Sequence, residues 1–118
     1  ENFIEINSTD ASARGIRTGD EVRLTSVSAP NGVVGRARVT ETVCPGVAAV
    51  SHHFGHWEMS SRPFKVNGVD AAHDPTRGKG VQANTIMRLD PHLGNVTLQD
   101  KIGASASFYD TRVQVAKV

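Results

Sequence analysis

The stretch from Asp10 to Val50 constrains the fold more than any other part of the chain. It reads DASARGIRTGDEVRLTSVSAPNGVVGRARVTETVCPGVAAV. Ser8, Thr9 and Asp10 offer side-chain oxygens that can cap a helix N-terminus. Ala11, Ala13 and Ile16 are apolar, but only about one and a half turns fit before Gly15. Gly15 takes positive φ readily and ends the helix. Gly19-Asp20 is a turn dipeptide directly before a strand. Val22, Leu24 and Ser26 then face one side, with Glu21, Arg23 and Thr25 on the other, the period of a half-buried strand. Asn31-Gly32 is a hairpin-turn signal. Beyond it Val33, Gly35, Ala37 and Val39 alternate with Val34, Arg36, Arg38 and Thr40. The small residues of the first set suit the interior of a tightly curved barrel. Pro45-Gly46 breaks the pattern, and Val47 to Val50 reads as a short buried strand.

Composition sets the outer limits. A chain of 118 residues is one domain with enough length to bury a core. Aromatic residues are only 5%, so the core must be built from Val, Ile, Leu and Ala. A formal net charge of +1 gives no argument for nucleic acid or an anionic membrane surface. No apolar run approaches the roughly 20 residues of a membrane span, and no signal-peptide pattern opens the chain. The start at Glu1 without methionine points to an excised domain or a processed product. Cys44 is the single cysteine, which excludes an internal disulfide and leaves the redox compartment open.

The second half is organised differently. Residues 51–63 (SHHFGHWEMSSRP) form a loop rich in His, Gly and aromatics. Residues 64–80 (FKVNGVDAAHDPTRGKG) are polar and punctuated by Gly and Pro, which predicts irregular surface chain. Residues 81–90 suit a short turn or a strand edge. Asp90-Pro91 and Leu93-Gly94-Asn95 mark another loop. A terminal strand places Val113, Val115 and Lys117 on one face and Gln114, Ala116 and Val118 on the other. About half of the chain is loop, a high share, and long ordered loops on a small barrel usually carry binding.

His52, His53 and His56 admit three readings. Imidazoles can ligate zinc or copper. Adjacent histidines on an extended chain point to opposite faces, however, and no Cys or carboxylate stands at a companion spacing, so no metal site is assigned. Solvated surface histidines are the second reading. The third is a ligand-contacting loop: backbone around Gly55 approaches a ligand closely, imidazoles hydrogen-bond heterocycle edges, and Phe54 and Trp57 supply flat apolar surface. Gly78-Lys79-Gly80 is too short for a phosphate loop and reads as linker. Cys44 has no base that sequence can place beside it. Asp20 is a turn residue, and Arg36 and Arg38 lie on a solvated strand face. Asn84 either caps the following segment or reads a base edge. Phe108 and Tyr109 suit a core position, with the Tyr109 hydroxyl at a polar group. No paired-carboxylate, Ser-His-Asp or Cys-His arrangement is present, so no catalytic residue is assigned.

The ordered set of motifs resembles the C-terminal dinucleotide-cofactor-binding domain of the molybdopterin oxidoreductases, the dimethyl sulfoxide reductase family. An N-x-x-D-A-x-x-x-G-I-x-x-G-D-x-V-x-L pattern spans Asn7 to Leu24. V-x-P-G-V-x-A follows at Val43 to Ala49, with Cys44 where a basic residue is common. The Gly- and aromatic-rich loop matches His52 to Trp57. Asn84 stands in a run ending Asp90-Pro91, and Phe108-Tyr109 precedes V-Q-V. No single motif carries the resemblance, since G-x-x-x-G-D-x-V also occurs in barrels of some AAA ATPases.

The resemblance implies a mainly β fold, a six-stranded double-psi β-barrel with short helices and long loops, over residues 1–118. It implies binding of molybdopterin guanine dinucleotide. By carry-over His52, His53, Phe54, Gly55, His56 and Trp57 line the pterin, Asn84 hydrogen-bonds the cofactor, and Phe108 and Tyr109 pack near it. The family often has Lys where Tyr109 stands. Molybdenum or tungsten and any iron–sulfur cluster would be held by the remaining domains of the catalytic subunit, so the isolated chain should be inactive. V-N-G-V-D (Val66 to Asp70), G-V-Q-A-N (Gly80 to Asn84) and the segment before Val113 are similar to reductases of thiosulfate, tetrathionate, polysulfide and arsenate. That branch is commonly exported to the bacterial periplasm. The competing reading is a double-psi barrel of an AAA ATPase that recognises protein partners. A third is a stand-alone barrel subunit of a molybdenum or tungsten complex. With its intended contacts missing, the 51–80 loop is expected to be partly mobile in isolation.

Overall fold

The computed structural model describes every residue except Glu58, Met59, Asn95, Lys101 and Phe108. The first half begins with a strand that the sequence pattern leaves unassigned, β1 (Ile4–Ile6). Its I-E-I alternation buries both isoleucines and leaves Glu5 at the surface. Helix α1 (Ser8–Ala13) follows. Its cap is Asn7, one residue before the expected Ser-Thr-Asp set, and the Asn7 Oδ1 accepts from the Thr9 N–H at 2.9 Å. Gly15 at φ 63° ends the segment as expected.

Strand β2 (Glu21–Ser26) buries Val22 and Leu24. It turns back into β3 (Ala29–Val39) at Val27-Ser28, not at Asn31-Gly32. Ser26 pairs with Ala29 and Leu24 with Val33, so residues 30–32 bulge opposite Thr25. Gly32 sits in that bulge at φ 61°, where a Cβ would overlap the carbonyl oxygen of Leu24. The Asn-Gly signal is thus a real positive-φ site, used for a bulge and not for a reversal. A second Asn-Gly, at 67–68, does make a hairpin turn.

Strand β3 carries two ladders. Its residues 33–36 pair antiparallel with β2, and its residues 37–39 pair parallel with β1. Strand β4 (Ala48–Val50) pairs antiparallel with β1, and β7 (Val113–Lys117) with β2. The resulting sheet has the order β4-β1-β3-β2-β7. It curls into a half-barrel with β4 and β7 as its edges. A cavity of about 100 Å³ opens between them, lined in part by Leu24, Ala48, Val50, Ile86 and Val113. The mainly β fold with short helices is as expected, and the described residues form it as a five-stranded curled sheet. Gly35 faces inward, where a Cβ would overlap Val81, so the small face of β3 does what a tight interior requires.

The core gathers Ile4, Ile6, Ala11, Ile16, Val22, Leu24, Ala37, Val81 and Ile86, with no aromatic among them. The polar segment 64–80, expected to be irregular, contains a separate hairpin, β5 (Phe64–Val66) and β6 (Val69–Ala71), and a 3-10 turn at Pro75–Gly78. A second 3-10 turn, Ala83–Ile86, delivers Ile86 to the core. No helix among the described residues is long and apolar enough to cross a membrane.

Candidate functional site

Two motif residues fix the frame on which the loops hang. The Asn7 amide Nδ2 donates to the Val43 carbonyl at 2.9 Å while its Oδ1 caps α1. Asp10 accepts the Gly46 N–H at 2.6 Å and pairs with Arg14 at 3.2 Å. The N-x-x-D spacing places both side chains against the 43–46 turn, so Pro45-Gly46 is clasped to the helix. Asp20 accepts from the Arg17 N–H at 2.8 Å and from the Lys117 ammonium at 2.7 Å. The Lys117 hydrogen bond, first, and that of Arg17 hold its carboxyl below the usual value of 3.8. Arg38 pairs with Glu5 and Arg36 with Glu1 across the outer face.

Asn2 does more for the site than any residue singled out from sequence. It is buried, and its amide joins three segments. Nδ2 donates to the Ser51 carbonyl at 2.6 Å and to the Val81 carbonyl at 2.9 Å, and Oδ1 accepts the Val81 N–H at 2.7 Å. A second tie joins the loops directly: the Gly55 N–H donates to Lys79 O at 2.9 Å and the His56 N–H to Arg77 O at 3.2 Å. Gly55 and Gly80 allow this close approach, because a Cβ on Gly55 would lie 2.5 Å from the Gln82 nitrogen and one on Gly80 would overlap Asn2. Gly80 therefore belongs to the frame and is no mere linker. A polar residue ahead of the first apolar alternation is the only sequence signal for Asn2.

The frame brings His52, His53, Phe54, His56 and Asn84 together with Gln82 and Ala83 around one groove of about 310 Å³. His53 has φ 73°, so the chain is not extended there, and the two adjacent rings meet edge to face at 6.4 Å instead of pointing apart. A neighbouring groove of about 330 Å³ is lined by Gly55, Trp57, Gly80, Val81, Gln82 and residues of the β2–β3 bulge. Gln82 lines both, and its Oε1 is buried with no hydrogen-bond partner among the described residues. Sequence reasoning passes over Gln82 because a glutamine in a polar loop has no pattern to mark it. Tyr109 is 98% exposed and lines neither groove, so it is neither in the core nor brought to this site. Phe108 lies outside the described residues. Among the described residues no group of three or more His, Cys, Asp or Glu is close enough to hold a metal ion. Cys44 is exposed.

The molydopterin dinucleotide binding domain family matches residues 1–100. A selenate reductase subunit of Mesobacillus selenatarsenatis is 39% identical over all of this chain and 12% of its own length. A tetrathionate reductase subunit of Salmonella typhimurium is 33% identical over 76% of the chain and 9% of its own length. The alpha subunit of F420-dependent formate dehydrogenase 2 of Methanococcus maripaludis is 53% identical over 46% of the chain and 8% of its own length. The chain thus spans about a tenth of the curated relatives it matches. These matches give no support to the ATPase-barrel alternative. With a family match over most of its length, the chain belongs to the molydopterin dinucleotide binding domains of the molybdopterin oxidoreductases.

Proposed function

We propose that this domain caps a molybdopterin guanine dinucleotide within a larger catalytic subunit, and that the two grooves meeting at Gln82 receive its heterocyclic part. The observation that carries the reading is the groove lined by His52, His53, Phe54, His56, Gln82 and Asn84. Its chemistry suits an aminopyrimidinone ring, whose edge carries both N–H donors and oxygen or nitrogen acceptors. The imidazoles and the Asn84 amide offer both kinds of partner. The Gln82 Oε1, without a partner among the described residues, is an acceptor awaiting a donor, since a buried polar atom without a partner costs about 1–3 kcal/mol. Trp57, 47% exposed over the neighbouring groove, offers a flat face for stacking.

When bound, the cofactor supplies a redox-active molybdenum or tungsten, held through its dithiolenes and by other domains. This chain's residues bind, orient and shield. Gly55 and Gly80 keep the loops close enough to exclude water, and Asn2 holds both loops to β1. Tyr109, and Phe108 with it, remain proposed second contacts that the complete enzyme would bring in. The parent would reduce an oxyanion or polysulfide acceptor, a reading supported by the selenate and tetrathionate reductases among the relatives. The isolated domain would not turn over. Double-psi closure belongs to the same proposal. Its support is β3, which leaves one ladder antiparallel to β2 and enters another parallel to β1.

The test is a titration of the isotope-labelled domain, and of the cofactor-free subunit, with guanosine monophosphate. Saturable amide shifts should cluster at His52 to Trp57, Gln82 and Asn84. Their absence at millimolar ligand in both preparations would overturn the assignment.

A further inference from the structure

The hairpin β5–β6 pairs with no strand of the main sheet. Its register sets Phe64 opposite Ala71 and Val66 opposite Val69, so those four side chains share one face. Lys65 and Asp70 pair on the other face, joined at 3.3 Å. The turn Asn67-Gly68, at φ 51° and 82°, has the left-handed backbone that matches strand twist. The Asp74 N–H closes the stem onto the Ser60 carbonyl at 2.7 Å. Asp74 is itself fixed by the Thr76 N–H at 2.9 Å and hydroxyl at 2.6 Å.

This locally braced ribbon leaves its apolar face in water. Phe64 is 40% exposed, Val66 54% and Val69 71%. A lone two-stranded hairpin is marginal in water, and contiguous exposed apolar surface marks a contact site. One observation indicates what covers it. The matched selenate reductase chain is far longer, this chain spanning 12% of it. Such a long chain offers the hairpin much more surface, always at hand, than a second copy of the domain would.

We propose that β5–β6 is a docking arm whose apolar face, Phe64, Val66, Val69 and Ala71, packs on another domain of the same catalytic subunit. The neutralised Lys65–Asp70 face turns to solvent and fixes which side goes in. The proposal rests on the reading of this chain as one domain of a larger subunit.

The experiment is hydrogen exchange on the complete catalytic subunit, together with oxidative footprinting of Phe64. Amides of residues 64–71 should exchange about 100-fold or more slowly than an unstructured peptide, at every protein concentration. Phe64 should resist oxidation. The double variant Val66→Asp, Val69→Asp should lose roughly tenfold or more of that protection while β2 keeps its own. Lys65→Gln with Asp70→Asn should keep it. Near-unstructured exchange and ready oxidation of Phe64 in the unaltered enzyme would overturn the proposal. Protection that grows with protein concentration would assign the face to a second copy and overturn it equally. Pterin released on denaturation, read by its fluorescence, separates this failure from that of the cofactor reading: an enzyme that carries pterin but leaves the hairpin unprotected loses only the arm.

Discussion

The half-barrel and the loop region beyond β4 are stabilised by different means. The sheet holds most of the core, Ile4, Ile6, Val22, Leu24 and Ala37 among it, and every strand of it is paired in a ladder. Among the described residues, the region from 51 to 112 contributes only Val81 and Ile86 to that core. Its other described ties to the sheet half are single hydrogen bonds, those of Asn2 above all. A sheet resists through many equivalent contacts, whereas the loops depend on a few irreplaceable ones. If the proposed binding surface lies on these loops, it can adjust to a ligand without disturbing the sheet.

Truncation breaks the comparison most directly. Leu24→Ala, at a site 1% exposed, should cost about 2–5 kcal/mol in urea unfolding of the domain. Val69→Ala, at a site 71% exposed, should stay within about 0.5 kcal/mol. Equal costs would mean that the hairpin is as integral as the sheet. Asn2→Ala comes next, at roughly 2–3 kcal/mol, because it leaves buried Val81 groups unsatisfied. Its signature should be local: amide exchange should quicken at 52–57 and 80–82 and not in β2, and uniform quickening would make Asn2 a general core residue. Asn7→Ala removes a cap and the Val43 tie and should cost about 1 kcal/mol.

The smallest effect is one of pH. Lys117 holds the folded Asp20 carboxyl below its ordinary value of 3.8. Its contribution is therefore complete above that pH and is lost as pH falls through the lowered folded value. Against Asp20→Asn, the unaltered domain should lose a small increment of stability on acidification below about pH 4. A parallel profile for the two would show that the exposed pair adds nothing. The expectation that the loops are partly mobile in the isolated domain gains its test in the same exchange data: strong, uniform protection across 51–80 would remove it.

What the sequence made legible follows from where the pattern is periodic. Val22 and Leu24, the small face of β3 and the strand at Val113 all lie where alternation runs long enough to read. The β1 triplet is too short to stand out, and its burial comes from β3 and β4 on either side. The two Asn-Gly dipeptides show the limit more sharply. Both supply positive φ, yet at 67–68 the flanking residues pair across the turn, while at 31–32 the pairing of Ser26 with Ala29 has already reversed the chain. The groove was legible as a set of residues near Gly55. Gln82 was not, because its importance arises only when two segments distant in sequence meet.

The clasp of Asn7 and Asp10 on the 43–46 turn bears on how such domains should be told apart. Those positions carry the most recognisable letters of the chain, and they bond to backbone of the frame and to the side chains of Glu41 and Arg14. Matching them identifies an architecture and is silent about chemistry. Two enzymes with different substrates can share this signature letter for letter. Classification by specificity should therefore give this signature no weight.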